Sequence, residues 1–135
     1  MITRHTEIRV GYRDTDQMGV VHHAVYLEFF EQGRTELLRQ IGIAYATLER
    51  SGVMLPVLEY DARLVRPALY DQIVRVESTL HPPDGVRLRI AYTITRNDQL
   101  LVTGHTIHAF AQVGSMKPIR PPREFLELLA GVSSR

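Results

Sequence analysis

The stretch from Ala24 to Ile41 leaves this chain the least choice of fold. Tyr26, Phe30, Gly33, Leu37 and Ile41 recur at spacings of three and four, with Leu27, Phe29 and Leu38 beside them. That is the period of one helical face. Glu31 with Arg34, and Glu36 with Arg39, stand three apart with opposite charge, an arrangement that supports a helix; Arg34 reads as half of a structural ion pair. Gly42 supplies a stop. A helix of this extent is about 27 Å long, and its apolar stripe is broad enough to require a sheet as cover. Gly33 lies on the stripe, either where a strand comes close or as a tolerated glycine.

The flanks supply the sheet. His5 to Tyr12 alternates, with Thr6, Ile8 and Val10 on one face and Glu7, Arg9 and Gly11 on the other, a strand pattern. Arg13 to Gly19 is polar, ends in glycine and reads as a loop. After a short second helix over Ala44 to Ser51 come four strand-like runs: Val53 to Val65, Ile73 to Leu80, Val86 to Thr95 and Leu100 to Val113. Pro56 marks the first of these as an edge or a bulge. Turns fall at Arg66-Pro67, at Pro82 to Gly85 and at Asn97-Asp98, the last two hairpin-like. Glu124 to Ala130 suits a terminal helical turn. The pattern predicts one α+β domain over residues 1–135, with a mainly antiparallel sheet and one central helix on one face.

Composition narrows the function. At 44% hydrophobic residues the chain can build a core. A net charge of +1 with scattered basic residues argues against nucleic acid as a partner. The absence of cysteine removes disulfides and thiolate chemistry. No apolar run reaches the length of a membrane span or a signal core, so a cytoplasmic protein without an integral membrane segment is expected.

The chemistry gathers just before the long helix. Tyr12 to His23 holds two aspartates, a tyrosine, two histidines and a glycine. No Ser, Thr, Asp or Asn directly precedes Ala24 to cap the helix, so its first N–H groups are free for a carbonyl oxygen or an anion. Loop aspartates in isolation are usually turn residues, and Asp14 is read as one. His22 reads as structural, whereas His23 is divided between participation and packing. A metal site built from His22, His23, His105 and His108 is disfavoured: adjacent histidines point apart, and His105 and His108 alternate across a strand. Tyr45, Leu48, Met54 and Leu55 suit the wall of a pocket or the core equally well. Arg87, Arg89, Lys117 and Arg120 are candidates for phosphate contacts, or solvated surface.

The run Tyr12-Arg13-Asp14-Thr15-Asp16-Gln17-Met18-Gly19-Val20-Val21-His22-His23-Ala24-Val25-Tyr26, continuing through Phe29-Phe30-Glu31 to Arg34-Thr35-Glu36, resembles the hot-dog-fold acyl-CoA thioesterases. The likeness is to the 4-hydroxybenzoyl-CoA thioesterase branch, including its Tol–Pal-associated members. The resemblance implies a curved, five-stranded antiparallel sheet wrapped around one long central helix. It also implies a homodimer or homotetramer with active sites at the dimer interface. Asp16 then matches the catalytic carboxylate, His23 the position where a backbone N–H polarises the thioester carbonyl, and Tyr12 a tyrosine kept near the site. Gly19 and Val20 border the substrate, and Gly19 lets the loop approach it. Other branches place a catalytic glutamate on the helix, where this chain has Glu28, Glu31 and Glu36; the loop aspartate favours the first type. The hydratase pattern Asp-x-Asn-Pro-x-His is absent.

The expected activity is hydrolysis of an acyl-CoA to a carboxylic acid and coenzyme A, with Asp16 as nucleophile or general base and the helix start as oxyanion hole. No cofactor is expected, since coenzyme A belongs to the substrate. The alternatives are a thioesterase for acyl groups on acyl carrier protein and a non-catalytic acyl-CoA-binding protein.

Overall fold

The computed structural model describes residues 1–133. Strand β1 (Ile2–Arg9) leads through a short 3-10 turn (Tyr12–Asp14) to helix α1 (Val25–Gln40) and helix α2 (Tyr45–Arg50). Strands β2 (Val53–Met54), β3 (Val57–Leu64), β4 (Ile73–Leu80), β5 (Arg87–Arg96), β6 (Gln99–Ala109) and β7 (Ala111–Gln112) follow, then helix α3 (Arg123–Ser133). Five strands form one sheet in the order β1-β4-β5-β6-β3, and β2 pairs with β7. Every pairing is antiparallel. β1 and β3 sit at opposite edges, so the right-handed rule for neighbouring parallel strands does not arise for the α1 link.

The elements depart from the sequence pattern where partners override it. β1 begins at Ile2 and stops at Arg9, because its register runs from Ile2 opposite Leu80 to Arg9 opposite Ile73; Val10 is buried but lies beyond the ladder. The Val53 to Val65 run breaks at Pro56 into β2 and the edge strand β3, which carries an irregularity between Val57 and Glu59. Phe110 interrupts the last long run, its ring fully buried against Phe125 of α3 with centroids 5.1 Å apart. That contact makes α3 three turns long where the sequence suggested one. Asn97 and Asp98 both take positive φ (50° and 63°) and close the β5–β6 hairpin, as a type I′ turn requires.

α1 lies over β1, β4 and β5. Tyr26, Phe29, Phe30, Gly33, Leu37 and Leu38 form its buried face. Gly33 settles the question its position raised: a Cβ there would stand 2.6 Å from Ser78 Oγ and 2.7 Å from Val76 Cγ1, so the helix rests directly on β4. Gly104 on β6 does the same for Phe30. That ring lies flat on Tyr92 (4.3 Å between centroids, 5° between planes) and reaches over Gly104. Because α1 sits to one side, the inward row of β3 is bare: Tyr60, Ala62 and Leu64, opposite Thr106, Gly104 and Val102 of β6, are exposed.

A polar chain crosses the core beneath this row. His108 is fully buried, with Nδ1 2.9 Å from the Leu55 carbonyl and Nε2 2.8 Å from Thr106 Oγ1. A carbonyl only accepts, so Nδ1 donates to Leu55, Nε2 accepts from Thr106, and Thr106 accepts from the Tyr92 hydroxyl 2.7 Å away. Arg34 turns into this region instead of pairing with Glu31. Burial alone would lower its pKa, but the phenol oxygens of Tyr92 and Tyr45 reverse that and raise it. Its Nε has no hydrogen-bond partner. Glu36 and Arg39 do pair. Leu48 and Leu55 are core residues.

Burial pushes His108 down to about 4, with Arg34 adding to the effect and the Leu55 bond opposing it. The unfolded chain therefore binds this proton at a higher pH than the folded one. Stability from neutral His108 is complete above pH 6.5 and is lost as pH falls from 6.5 towards 4, by roughly 3 kcal/mol at most. Chemical denaturation at pH 7 and pH 4.5 should show this fall, and His108→Gln should flatten it; an equal fall in the variant would assign the effect to other groups.

Among the described residues, no helix is long and apolar enough to cross a membrane.

Candidate active site

The loop before α1 is built from its own hydrogen bonds. Asp14 Oδ2 accepts from the Gly11 N–H at 2.8 Å, and the Asp14 carbonyl accepts from the His22 N–H at 2.9 Å. Asp14 is thus the structural residue its position suggested. Asp16 opens a tight turn: its N–H donates to the Val20 carbonyl (2.9 Å) and its carbonyl accepts from the Gly19 N–H (3.0 Å). Gly19 has φ +80°, and nothing lies within 4 Å of a Cβ built on it. The turn's left-handed backbone accounts for glycine here, and no crowding contributes.

The Asp16 carboxylate is half committed. Oδ1 accepts from the Met18 N–H at 2.8 Å, an Asx turn, and Oδ2 takes no hydrogen bond from the described residues. The uncapped start of α1 is partly served by His22, whose Nδ1 accepts from the Ala24 N–H at 3.2 Å. The rings of His22 and His23 do not point apart; they stack with centroids 4.2 Å apart, because the two residues lie in a turn and strand alternation does not apply. The His23 N–H has no acceptor among the described residues. Burial and the strand separate His108, inside, from His105, which faces Asp61 at 2.9 Å on the outer surface.

Two clefts meet at Asp16. The first, about 280 Å³, is bounded by Val20, Val21, His23 and Tyr26 on one side and by Leu64 to Pro67 on the other. The second, about 490 Å³, is lined by Tyr12, Thr15, Gln17, Gly19 and Tyr70. Tyr12 is 80% exposed and meets Tyr70 edge to face, centroids 5.7 Å apart. The structure therefore gathers Asp16, His23 and Val20 around the first cleft, and Tyr12 and Gly19 with Asp16 around the second. It does not bring Arg87, Arg89 or Lys117 there within one chain. Arg87 and Arg89 pair with Ala109 and Ile107 at the far end of β6, while the clefts adjoin the end where Leu64 meets Val102. Seven strand residues from Val102 to Ala109 put them roughly 23 Å away, and Lys117 follows β7.

The wall from Leu64 to Pro67 has no counterpart in the sequence reading, which saw only a turn at Arg66-Pro67. The Val21 N–H donates to the Ala68 carbonyl (2.9 Å), and the Ala68 N–H donates to the Tyr26 hydroxyl (3.1 Å). A tyrosine on a buried helical stripe was the available signal, since a buried phenol needs a polar partner.

One long helix on a five-stranded antiparallel sheet is the architecture of the hot-dog thioester hydrolases, and here Asp16 and His23 line one cleft beside the start of that helix. A family model described as the Thioesterase-like superfamily matches residues 10–129, and the chain belongs to that superfamily. It is 32% identical to the putative acyl-CoA thioesterase YneP of Bacillus subtilis over 120 residues, covering 88% of this chain and 87% of that protein. It is 33% identical to the acyl-CoA thioesterase YbgC of Haemophilus influenzae over 120 residues, 87% of each. Among solved structures, the DHNA-CoA thioesterase of Staphylococcus aureus superposes with a TM-score of 0.91 at 29% identity, over 99% of this chain and 93% of that one.

Proposed function

We propose that this protein hydrolyses the thioester of an acyl-CoA to a carboxylic acid and free coenzyme A, with Asp16 as nucleophile or general base and the His23 N–H as oxyanion donor. The observation that carries the reading is that Asp16 and His23 border one cleft, each with an unused group. Oδ2 lacks a donor and the His23 N–H lacks an acceptor. A thioester carbonyl between them would receive attack at carbon while its oxygen gains charge beside the N–H, at the positive end of α1. Relatives named as acyl-CoA thioesterases over most of their length support the substrate class.

The remaining basic residues fit this reading through a second copy. β3 is an edge strand with an unpaired side and a bare inner row, which antiparallel pairing with another β3 would cover. A two-fold axis across that edge reverses the second sheet, so its Arg87 and Arg89 would approach the Asp16 end of the first. A homodimer with sites at its interface follows.

Thiol release from short, medium, long and aromatic acyl-CoAs tests the proposal. Turnover of at least one member is expected. Release from none of them, by protein that is folded and paired, would overturn the acyl-CoA hydrolase reading, and release only from acyl carrier protein thioesters would replace it with the carrier-bound alternative.

A further inference from the structure

We infer that Tyr26 is a further catalytic residue of this site: its hydroxyl donates a hydrogen bond to the thioester oxygen and shares the developing charge with the His23 N–H. The inference rests on the hydrolase reading above and adds a second donor to it.

An oxygen that gains charge during acyl transfer has more than one lone pair to satisfy, and a single N–H meets only one of them. The polar side chains on the first cleft are those of Asp16, His23, Tyr26 and Arg66. The Asp16 carboxylate only accepts. The His23 ring is stacked on His22. Arg66 is exposed and donates to the Leu100 carbonyl at 3.1 Å. Tyr26 differs from all three: it is 2% exposed, and its ring is fixed edge to face on Phe29 with centroids 6.0 Å apart. It follows His23 by three residues, which puts both on one side of the first turn of α1. A helical side chain leans towards the helix start, where the His23 N–H lies.

The hydrogen bonding of the Tyr26 hydroxyl is half complete. Its oxygen accepts from the Ala68 N–H at 3.1 Å, and its proton has no acceptor among the described residues. With the Ala68 N–H on one side of the oxygen, the O–H turns away from it. A buried hydroxyl proton needs an acceptor, and a carbonyl in the cleft that Tyr26 borders would be one. Burial raises the Tyr26 pKa against the smaller effect of the Ala68 bond, so the phenol keeps its proton at neutral pH and serves as a donor. Holding Ala68 uses the oxygen alone and leaves that proton without a role.

The experiment follows an acyl-CoA labelled with ¹³C at the thioester carbonyl. Native protein and Tyr26→Phe are compared, each also in the Asp16→Asn background, where the thioester should persist. Tyr26→Phe should lower kcat about a hundredfold, the effect of one lost oxyanion donor, and leave KM within about threefold. In the Asp16→Asn background it should also move the infrared band of the bound, labelled carbonyl to higher frequency, because a hydrogen bond to the oxygen weakens the C=O stretch. A Tyr26 that only holds Ala68 would raise KM or lower the melting temperature and leave the band in place. That result, or native kcat in Tyr26→Phe, would overturn the assignment. Where Tyr26→Phe does not fold, Tyr26→3-fluorotyrosine decides. Its hydroxyl is a stronger donor and a weaker acceptor, so kcat should rise if the proton is used; an unchanged or lower kcat leaves only the bond to Ala68. If native protein binds the labelled thioester without turning it over, the hydrolase reading fails and the band alone decides whether Tyr26 meets the carbonyl. If native protein neither binds nor hydrolyses, both fail.

Discussion

Asp16→Asn should abolish thioester hydrolysis while leaving the protein folded. The two carboxylate oxygens have separable duties. Oδ1 accepts from the Met18 N–H and holds the turn, and an asparagine carbonyl oxygen takes that role unchanged. Oδ2, free of hydrogen bonds from the described residues, becomes an amide nitrogen that neither attacks a carbonyl nor removes a proton from water. Loss of a positioned base or nucleophile costs on the order of 10²–10⁴ in rate, so kcat should fall by about a thousandfold with little change in melting temperature. Asp16→Ala removes both duties and should add roughly 1 kcal/mol of destabilisation through the lost Asx turn. Thiol release and thermal melting on the same samples check both effects. An Asp16→Asn protein with native kcat would remove Asp16 from the chemistry and leave it a turn residue. In a single turnover in ¹⁸O-water, label found in Asp16 identifies the nucleophilic route, with water attacking the aspartyl carbon of the mixed anhydride; label in the acid alone arises from general-base catalysis or from attack on the anhydride at its acyl carbon, and trapping of the anhydride by hydroxylamine separates these two.

The second large effect is on stability. Gly104→Ala should unfold the protein at least 10 °C earlier. A Cβ at this position collides with the Asp61 backbone carbonyl of the neighbouring strand and stands 2.7 and 2.8 Å from the Phe30 ring. The ring cannot retreat, being stacked on Tyr92, and the carbonyl belongs to the ladder that holds β3 on the sheet. Overpacking against backbone sits at the upper end of the usual range, about 3 kcal/mol, which for a domain of this size is about 10 °C. Gly131→Ala is the matched control: nothing lies within 4 Å of its Cβ, and alanine favours a helix. Because β3 leads into the Leu64 to Pro67 wall, Gly104→Ala should also lose activity below its melting temperature. A melting temperature within 2 °C of native would show that the helix and β3 yield more easily than this contact implies.

The sequence made the fold legible where period and partner agree. The Ala24 to Ile41 stripe gave α1 to within a residue at each end, and the strict alternation of Ile73 to Leu80 gave β4 outright. Boundaries failed where a distant residue decided them. Leu80 draws Ile2 into β1, and Phe125 holds Phe110 out of the sheet. The loop's polar cluster was visible as a candidate site because the residues are contiguous. The wall from Leu64 to Pro67 was not, since it reaches the cleft only through the Val21–Ala68–Tyr26 hydrogen bonds across more than forty residues of chain. Arg34 misled for a related reason. An i,i+3 charge pattern suggests a structural ion pair, but it carries no information about two phenols brought in from β5 and α2.

The outward row of β3 has a consequence for what the strand can join. Glu59, Asp61 and Arg63 alternate with the bare inner residues and point to the opposite face. Were copies of this strand to stack in parallel register, as in a fibril, each charge would meet its own kind about 4.8 Å away, layer after layer. An antiparallel pair instead can set Arg63 of one strand across from Glu59 or Asp61 of the other. The same three side chains that keep an exposed edge soluble therefore penalise open-ended stacking and favour a closed pair, so that the sheet's least protected strand also limits its own aggregation.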